Sequence, residues 1–200
     1  MLRNSLDTAK IRGDGFSGSP SIEFKDSMEV KQGILEILVW RGPANSKLVK
    51  RIYDDNLVVT MARKMMSRLI SGAAGVGVTI QTIGGPVSIT NPNQLYITNM
   101  RWGTGGHNPS DPTQPIPPSV SDENLAIPII SPAQKAVTVD YPTVTSVRFT
   151  AELDQTEANG LGLSEEGIFS DINLMFARKT FGLLTKTADF TFQFRHTILF

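Results

Sequence analysis

The chain of 200 residues has no cysteine, and its two histidines, His107 and His196, lie far apart in the sequence. Disulfide bonds and thiolate metal sites are therefore excluded, and two distant histidines make a poor transition-metal site. Nineteen basic and nineteen acidic residues cancel, so no global charge attracts nucleic acid or an anionic membrane. No apolar run approaches the length of a membrane span, about 18 residues. We expect no metal, no cofactor, no direct nucleic-acid partner and no membrane contact.

Apolar and polar residues alternate in several short segments, as they do in β-strands with one buried face. The most apolar segment is the last, DFTFQFRHTILF, which places four phenylalanines, a histidine and an isoleucine on one parity. That face must be covered, either by this subunit's own core or by a neighbouring subunit. Residues 154–167 are predicted to form a loop. Other strands are predicted over residues 24–40, with a bulge at Gly33, and over 48–53, 76–83, 87–90, 94–102, 136–142, 143–153 and 168–181.

One segment, DDNLVVTMARKMMSRLISG, predicts an α-helix over about residues 56–71. An apolar residue recurs every four positions from Leu57 to Leu69, and basic residues occupy the opposite face. Residues 54–56 are candidate N-terminal caps, and Gly72 is a candidate C-terminal stop. The Met-rich face is predicted to lie on a sheet, with a partner-binding groove as the alternative.

The pattern predicts a mainly β fold, a β-sandwich with Greek-key or jelly-roll-like connections and one packed α-helix. Strand–helix alternation is lacking, so a doubly wound sheet is not expected. Residues 1–22 are polar and predict an extended N-terminal arm, which is either a disordered terminus or docks on a neighbouring subunit. A single domain is expected over residues 23–200. It includes a long Pro-rich loop, residues 103–132, predicted to be an irregular surface excursion.

Two pairs of adjacent carboxylates, Asp54–Asp55 and Glu165–Glu166, are candidates for acid–base chemistry or Ca²⁺ binding. Neighbours along a strand point to opposite faces, and the first pair is assigned to the helix start, so catalysis is not expected. The sequence GTGG at 103–106 lacks the Gly-Lys-Ser/Thr ending of a phosphate loop. His196 is predicted to be a hydrogen-bonded core or interface histidine rather than a pH switch. The sequence therefore predicts no catalytic residue and a protein that is not an enzyme.

Residues suited to contacts with other proteins lie in the arm, on the polar helix face, around the Pro-rich loop and at the C-terminus. Prolines stiffen the loop and lower the entropy lost on docking. Basic residues on the helix face suit a local contact with an acidic partner. The predicted interface residues are Phe16, Arg63, Arg68, Trp102, His107, Pro112, Pro117 and Phe200.

Two stretches of the chain resemble a recurrent pattern in tailed-bacteriophage structural proteins. The first runs from DDNLVVTMARKMMSRLISG to ITNMRWGTGG: a strand pair leads into Asn-Leu, then a helix, then a strand ending in Gly-Thr-Gly before a Pro-rich loop. The second is EANGLGLSEEGIFSDINLMFARKTFGLLTKTADFTFQFRHTILF. It resembles the ending of the same proteins, with an Asn-Gly turn, MFARKTF and a terminal His-Thr-Ile-x-Phe. Arg101-Trp102 and GLLTK depart from the pattern, which more usually has a small apolar residue and a Pro-containing turn.

The resemblance implies a virion component of the neck, collar, tail or baseplate that assembles in rings with copies of itself and with other virion proteins. The expectation is a non-enzymatic, homo-oligomeric structural protein of the neck or collar that anchors fibres, made in the host cytoplasm and located in the virion. A baseplate or tail-tip component is the nearest alternative. From other classes, two alternatives remain open: a carbohydrate-binding β-sandwich module, tested at Trp102, and a hydrolase using Asp54 or Glu165. The aromatic residues available to bind a sugar are Trp40, Trp102, Tyr53, Tyr96 and Tyr141.

Overall fold

The computed structural model of the protein describes residues 32–72 and 78–200. Within these ranges the chain is mainly β, with one α-helix, α1 (Thr60–Ile70), which confirms the predicted class. Short 3-10 turns lie at Pro43–Asn45 and Pro92–Leu95. The strands in chain order are β1 (Gln32–Arg41), β2 (Lys47–Val58), β3 (Val78–Thr82), β4 (Gly85–Ile89), β5 (Ile97–Gly103), β6 (His107–Asn108), β7 (Asp111–Pro115), β8 (Lys135–Ala136), β9 (Thr138–Asp140), β10 (Ser146–Leu153), β11 (Gly162–Ser170), β12 (Met175–Thr185) and β13 (Phe190–Leu199).

Nine of these strands form one antiparallel sheet, in the order β8-β5-β11-β12-β2-β1-β13-β10-β9. The remaining four form two separate hairpins, β3–β4 and β6–β7. The order places β13, the last strand, between β1 and β10, which lie far from it in the sequence. Pairing of this kind depends on long-range contacts, so the whole chain must fold before the ladder is complete.

The two edges of the nine-stranded sheet are consecutive pieces of the chain. β8 pairs with β5, and the amide of the following residue, Val137, donates to the carbonyl of Thr98 at 3.1 Å. β9 begins at the next residue, Thr138, and pairs with β10 at the other edge. Residues 135–140 therefore join both edges, and the sheet curls into a nearly closed, barrel-like form. A β-sandwich of two separate layers is not confirmed, because β2 also passes from one half to the other. Its last two residues pair with β12, whereas the preceding residues pair with β1.

Side chains of the terminal strand, β13, fill part of the barrel interior. The inward side chains of β13 from Phe192 to Ile198 are buried. The ring of Phe194 lies 5.3 Å from that of Trp102 and 6.3 Å from that of Phe181, measured between centroids. From Phe192 to Ile198, the apolar face of the last strand is thus covered by this subunit's own core, whereas Phe200 is exposed. Burying one phenylalanine of this kind contributes about 1.5–3 kcal/mol of transfer free energy before entropy is counted.

The helix begins later than the sequence predicts, and its predicted N-terminal caps are wrong, whereas the predicted stop at Gly72 is confirmed by the helix end at Ile70 and the positive φ of Gly72. Residues 54–56 belong to β2, and Val59, the residue before the helix, makes no side-chain cap. The amides of Val59 and Thr60 instead donate to the carbonyls of Phe176 and Val120, at 3.2 and 2.8 Å. The end of β2 pairs with β12, which holds the backbone extended and delays the helix by one turn.

The Met-rich face of α1 lies against the core, as predicted. Met61, Ala62 and Met65 are buried and belong to the same apolar cluster as Ile80 on β3 and Leu95. The apolar stripe of an amphipathic helix is expected to be buried in this way. The helix therefore joins the β3–β4 hairpin to the barrel.

Two stretches that the sequence predicts to be loop contain strands. β11 begins at Gly162, inside the predicted loop 154–167, and the Pro-rich segment 103–132 contains the β6–β7 hairpin. A proline cannot donate a ladder hydrogen bond, but β7 tolerates Pro112 and Pro115 because its only strand partner is β6. The predicted turn GLLTK is also wrong, since β12 continues to Thr185.

The predicted bulge at Gly33 is wrong as well. The register between β1 and β2 shifts between Val39 and Trp40 instead. Gly33 lies under the side chain of Asn56, whose Oδ1 occupies the place that a Cβ would need. A Cβ at this position would have to displace the Asn56 side chain, which packs directly over the Gly33 backbone.

The predicted arm over residues 1–22, with Phe16, and the predicted strand start at residues 24–31 lie outside the described residues. In the part of the chain that is described, no helix combines the length and the apolar character that crossing a membrane requires.

Candidate protein-interaction site

Glu165, at the centre of β11, holds the Pro-rich segment against the outside of the barrel. Its Oε1 accepts hydrogen bonds from the amides of Gly105 and Ile127 at 3.1 and 2.9 Å, and its Oε2 accepts from the amide of Ala126 at 2.9 Å. Arg178 on β12 donates from Nε and Nη2 to the same Oε2 at 3.1 and 2.5 Å. The Glu165 side chain is fully buried, so all its bonds are to protein groups.

The same arginine ties down a second part of this segment. Arg178 Nη1 donates to Oδ2 of Asp122 at 2.5 Å, and that oxygen also accepts from the amide of Ser119 at 2.9 Å. Nearby, Thr180 Oγ1 donates to the carbonyl of Ile116 at 2.7 Å. The Pro-rich segment is therefore docked on strands β11 and β12 of its own subunit.

This geometry bears on the candidate acids of a hydrolase. Every hydrogen bond of Glu165 comes from a backbone amide or from Arg178. Its carboxylate therefore holds these groups in place. Asp54 is more than half exposed and forms an ion pair with Lys179, with 2.6 Å between Oδ2 and Nζ. Glu165 lies buried on the outer face of β11, whereas Asp54 lies on the surface of β2.

Glu166, the neighbour of Glu165, points into the barrel. Its Oε2 lies 3.0 Å from Nδ1 of His196 on β13, and both side chains are fully buried. The opposite directions of the two glutamates follow from the two-residue period of a strand. His196 is thus a hydrogen-bonded core histidine, as the sequence predicts. The pair connects β11 and β13 across the interior.

A groove with a volume of about 560 Å³ lies at one end of the barrel and is lined almost entirely by apolar and aromatic side chains. It lies between the C-terminal half of α1, the start of β5, strands β9 and β10, and the end of β13. We call it the apolar groove. Thr98 is its one lining residue outside the apolar and aromatic classes, and no lining residue is charged. The lining residues are Met66, Leu69, Leu95, Tyr96, Ile97, Thr98, Val139, Tyr141, Val147, Phe149, Phe176, Ile198 and Phe200.

Large side chains of the apolar groove are exposed in the subunit. Tyr141 is 75% exposed, Tyr96 53%, Phe200 51% and Val139 46%. Aromatic side chains that combine an apolar body with one polar atom are enriched where proteins bind each other. A contiguous exposed apolar surface on a folded domain marks an interaction site.

One wall of the apolar groove is fixed by an ion pair. Arg148 on β10 donates to Asp140 on β9 through Nε to Oδ1 at 2.9 Å and Nη2 to Oδ2 at 2.5 Å. Hydrogen bonding from Arg148 lowers the pKa of Asp140 below its ordinary value of 3.8, and the same bond raises the pKa of Arg148. The bidentate pair holds β9, and with it Val139, on the rim of the groove.

Of the predicted interface residues, Phe200 is the one that lines the apolar groove in the described part of the chain. Trp102 is fully buried in the barrel, so the prediction that Trp102 contacts a partner or a glycan is wrong. His107 is half-buried, with its Nδ1 3.0 Å from Oγ of Ser164. Phe16 lies outside the described residues. The other predicted contacts lie on the surface outside the groove and stay predictions: Arg63, Arg68, Pro112 and Pro117.

Tyr96, Val139 and Tyr141 are groove residues that the sequence-based reasoning missed as interface residues. A usable signal was present, because each of them lies in or beside a predicted strand and belongs to a residue class that is usually covered. Which strand ends meet depends on the strand order, and β9 meets the end of β13 only after the barrel closes.

Among residues 32–72 and 78–200, no group of three or more His, Cys, Asp or Glu side chains is placed to hold a metal ion. Comparison with protein-family models, with curated proteins and with solved structures finds no match to this chain.

Proposed function

We propose that this protein is a non-enzymatic structural component of a tailed-bacteriophage virion, located in the neck or collar, where it self-associates and anchors fibres. The observation that carries the proposal is the apolar groove, which exposes Tyr96, Tyr141 and Phe200 and has no charged lining residue. A surface of this composition suits a lasting protein–protein contact, because the centres of such interfaces are apolar, aromatic and depleted of charge.

The phage-like motifs support the same proposal from the sequence side. The first stretch forms the end of β2, helix α1 and strand β5, and the second forms β11, β12 and β13. The two stretches contact each other directly, since β11 pairs with β5 along its length. The motif residues therefore build the barrel, and the resemblance concerns the architecture of a subunit rather than a reactive centre.

The test has two parts. Light scattering on the purified full-length chain should give a mass several times that of the monomer, and a reconstruction of intact virions should place this protein in a ring at the neck. A monomer at concentrations of about 10–100 µM, well above the Kd of a stable assembly, would count against self-association. Density at the tail tip would favour the baseplate alternative instead.

A carbohydrate-binding module remains a second candidate because Tyr96 and Tyr141 are exposed in one groove. Sugar recognition also needs several polar groups to bond ring hydroxyls, and the groove side chains offer only Thr98 and the two tyrosine hydroxyls. Glycan-array binding by the wild-type chain, lost in Tyr141→Ala, would favour this candidate over a structural role. Trp102 is unsuitable as the test position because it is buried.

A further inference from the structure

The chain enters the barrel beside the apolar groove. The first residue of β1, Gln32, is paired with Leu199, and the next residue of the terminal strand, Phe200, lines the groove. The 31 residues that precede Gln32 therefore start at the groove rim. These residues are attached to the barrel at this end of β1. The β1–β2 turn, at the other end of β1, is about 30 Å away.

The part of the sequence next to this entry point has a two-sided pattern with one exception. Residues 23, 25, 27, 29 and 31 are all polar or charged, whereas Ile22, Phe24, Met28 and Val30 alternate with them, and Asp26 is the one exception on the apolar parity. No glycine or proline interrupts residues 21–32. This pattern predicts an extended segment with one apolar face that needs a cover.

The direction in which residues 22–30 leave Gln32 determines whether they reach the groove of their own subunit or that of a neighbouring subunit. A strand advances about 3.3 Å per residue, so a straight continuation of β1 carries Phe24 about 26 Å beyond Gln32. A segment that continues straight therefore leads away from the groove rim of its own subunit and toward a neighbouring subunit. The lack of glycine and proline, the strongest turn-forming residues, favours this straight continuation.

The apolar groove is suited to an added strand. β9 is at an edge of the sheet and is paired on one side with β10, so alternate backbone amide and carbonyl groups of Thr138–Asp140 point away from the ladder. Val139 and Tyr141 from this edge line the groove. An extended segment that docks here gains main-chain hydrogen bonds from β9 and places every second side chain in the groove.

We propose that the apolar groove of one subunit receives residues 22–30 of a second copy of this chain, so that exchanged N-terminal segments join neighbouring subunits. The inference rests on the self-association proposed above and adds the segment that fills the groove. Phe24, Met28 and Val30 face the groove, and the polar residues between them face solvent.

The first experiment compares two neighbouring positions of opposite parity in the full-length chain. Phe24→Asp should reduce the mass measured by light scattering to that of the monomer, whereas Lys25→Asp should leave the assembly intact. Both variants should keep the wild-type far- and near-ultraviolet circular dichroism, because neither substitution changes a residue of the described barrel. If the wild type assembles and Phe24→Asp assembles equally well, the groove has another occupant and only this inference fails. A monomeric wild type overturns both this inference and the proposed self-association.

The second experiment distinguishes exchange between copies from docking within one copy, and it uses the absence of natural cysteine. Chains with Phe24→Cys are mixed with differently tagged chains carrying Val139→Cys and are oxidised. The mixed disulfide dimer should form at least about tenfold faster than with Lys47→Cys, a control at the opposite end of β1, because docking raises the local concentration. Equal rates overturn the inference. A double variant, Phe24→Cys with Val139→Cys, that closes mainly into a disulfide within one chain at low concentration also overturns it.

Discussion

Replacing Glu165 should separate the Pro-rich segment from the barrel, and the cost can be worked out from its contacts. The carboxylate accepts from three backbone amides and from two nitrogens of Arg178. Glu165→Ala leaves the guanidinium of Arg178, whose side chain is 10% exposed, with Asp122 as its remaining acid partner. Removing one member of a buried ion pair costs about 3–5 kcal/mol because the other charge stays desolvated.

Part of that penalty can be relieved if the segment detaches and water reaches Arg178. We therefore expect a loss of about 3–5 kcal/mol in the free energy of unfolding by urea, or a smaller loss combined with local opening. Hydrogen exchange separates these outcomes. The amides of Gly105, Ala126 and Ile127 should lose protection, while amides in the β13 ladder should follow global stability.

The matched control is Glu123→Ala, in the same segment. Glu123 makes one hydrogen bond there, from the amide of Ile83 at 2.6 Å, and its loss should cost below about 1.5 kcal/mol. A double variant that replaces Glu165 and Arg178 with methionine should be more stable than Glu165→Ala, since the buried guanidinium is gone and the carboxylate that loses its partner, Asp122, is 22% exposed to solvent. The reasoning is refuted if Glu165→Ala costs no more than the control and the three amides stay protected.

Three further perturbations test other parts of the structure. Deleting residues 190–200 removes a strand paired on both sides and should give insoluble or molten protein without near-ultraviolet circular dichroism, and a soluble, cooperatively unfolding truncation would contradict this. Trp102→Ala should lower the free energy of unfolding by about 3–5 kcal/mol in urea titrations, because the ring is fully buried against Phe194, and a loss under about 1 kcal/mol would mean that the ring is not part of the core. Asp140→Asn should cost at most about 1 kcal/mol, because the carboxylate is more than half exposed to solvent. Since the folded-state pKa of Asp140 is lowered, its contribution is present above its ordinary value of 3.8 and is lost as the pH falls below that value. The stability difference between wild type and variant should therefore vanish in acid, and a pH-independent difference would be inconsistent with this account.

The mainly β class could be predicted because alternation of apolar and polar residues is a local signal. The β3–β4 hairpin, predicted over residues 76–90, and the face of β13 that is buried both follow from that signal. The helix was also predictable from its four-residue apolar repeat, but its start was not. Pairing of Leu57 and Val58 with β12 is a long-range contact, and it overrides the local capping tendency of residues 54–56.

Barrel closure and the groove could not be predicted, because both depend on which strand ends become neighbours. Residues 135–140 are a short strand segment in the sequence, and only the strand order shows that they join both edges of the sheet. The same limit applies to Trp102. Its neighbours are Gly103 and the Pro-rich segment, which suggests a surface position, but it pairs with Glu166 on β11 and faces inward.

The distribution of hydrogen-bonded ladders indicates which part of the surface can accept another chain. β13 pairs with β1 over ten residue pairs and with β10 over eight, whereas β9 pairs with β10 over three. Glu165 outside and Glu166 inside add bonds to the β11 side of the barrel. A long ladder with both edges paired has no backbone groups to offer, because its amides and carbonyls are already used. β9 is short, has one unpaired edge and adjoins exposed aromatic side chains, so it combines the two requirements for adding a strand. We therefore expect the proposed interaction surface to lie at β9, where this subunit's own sheet is least complete.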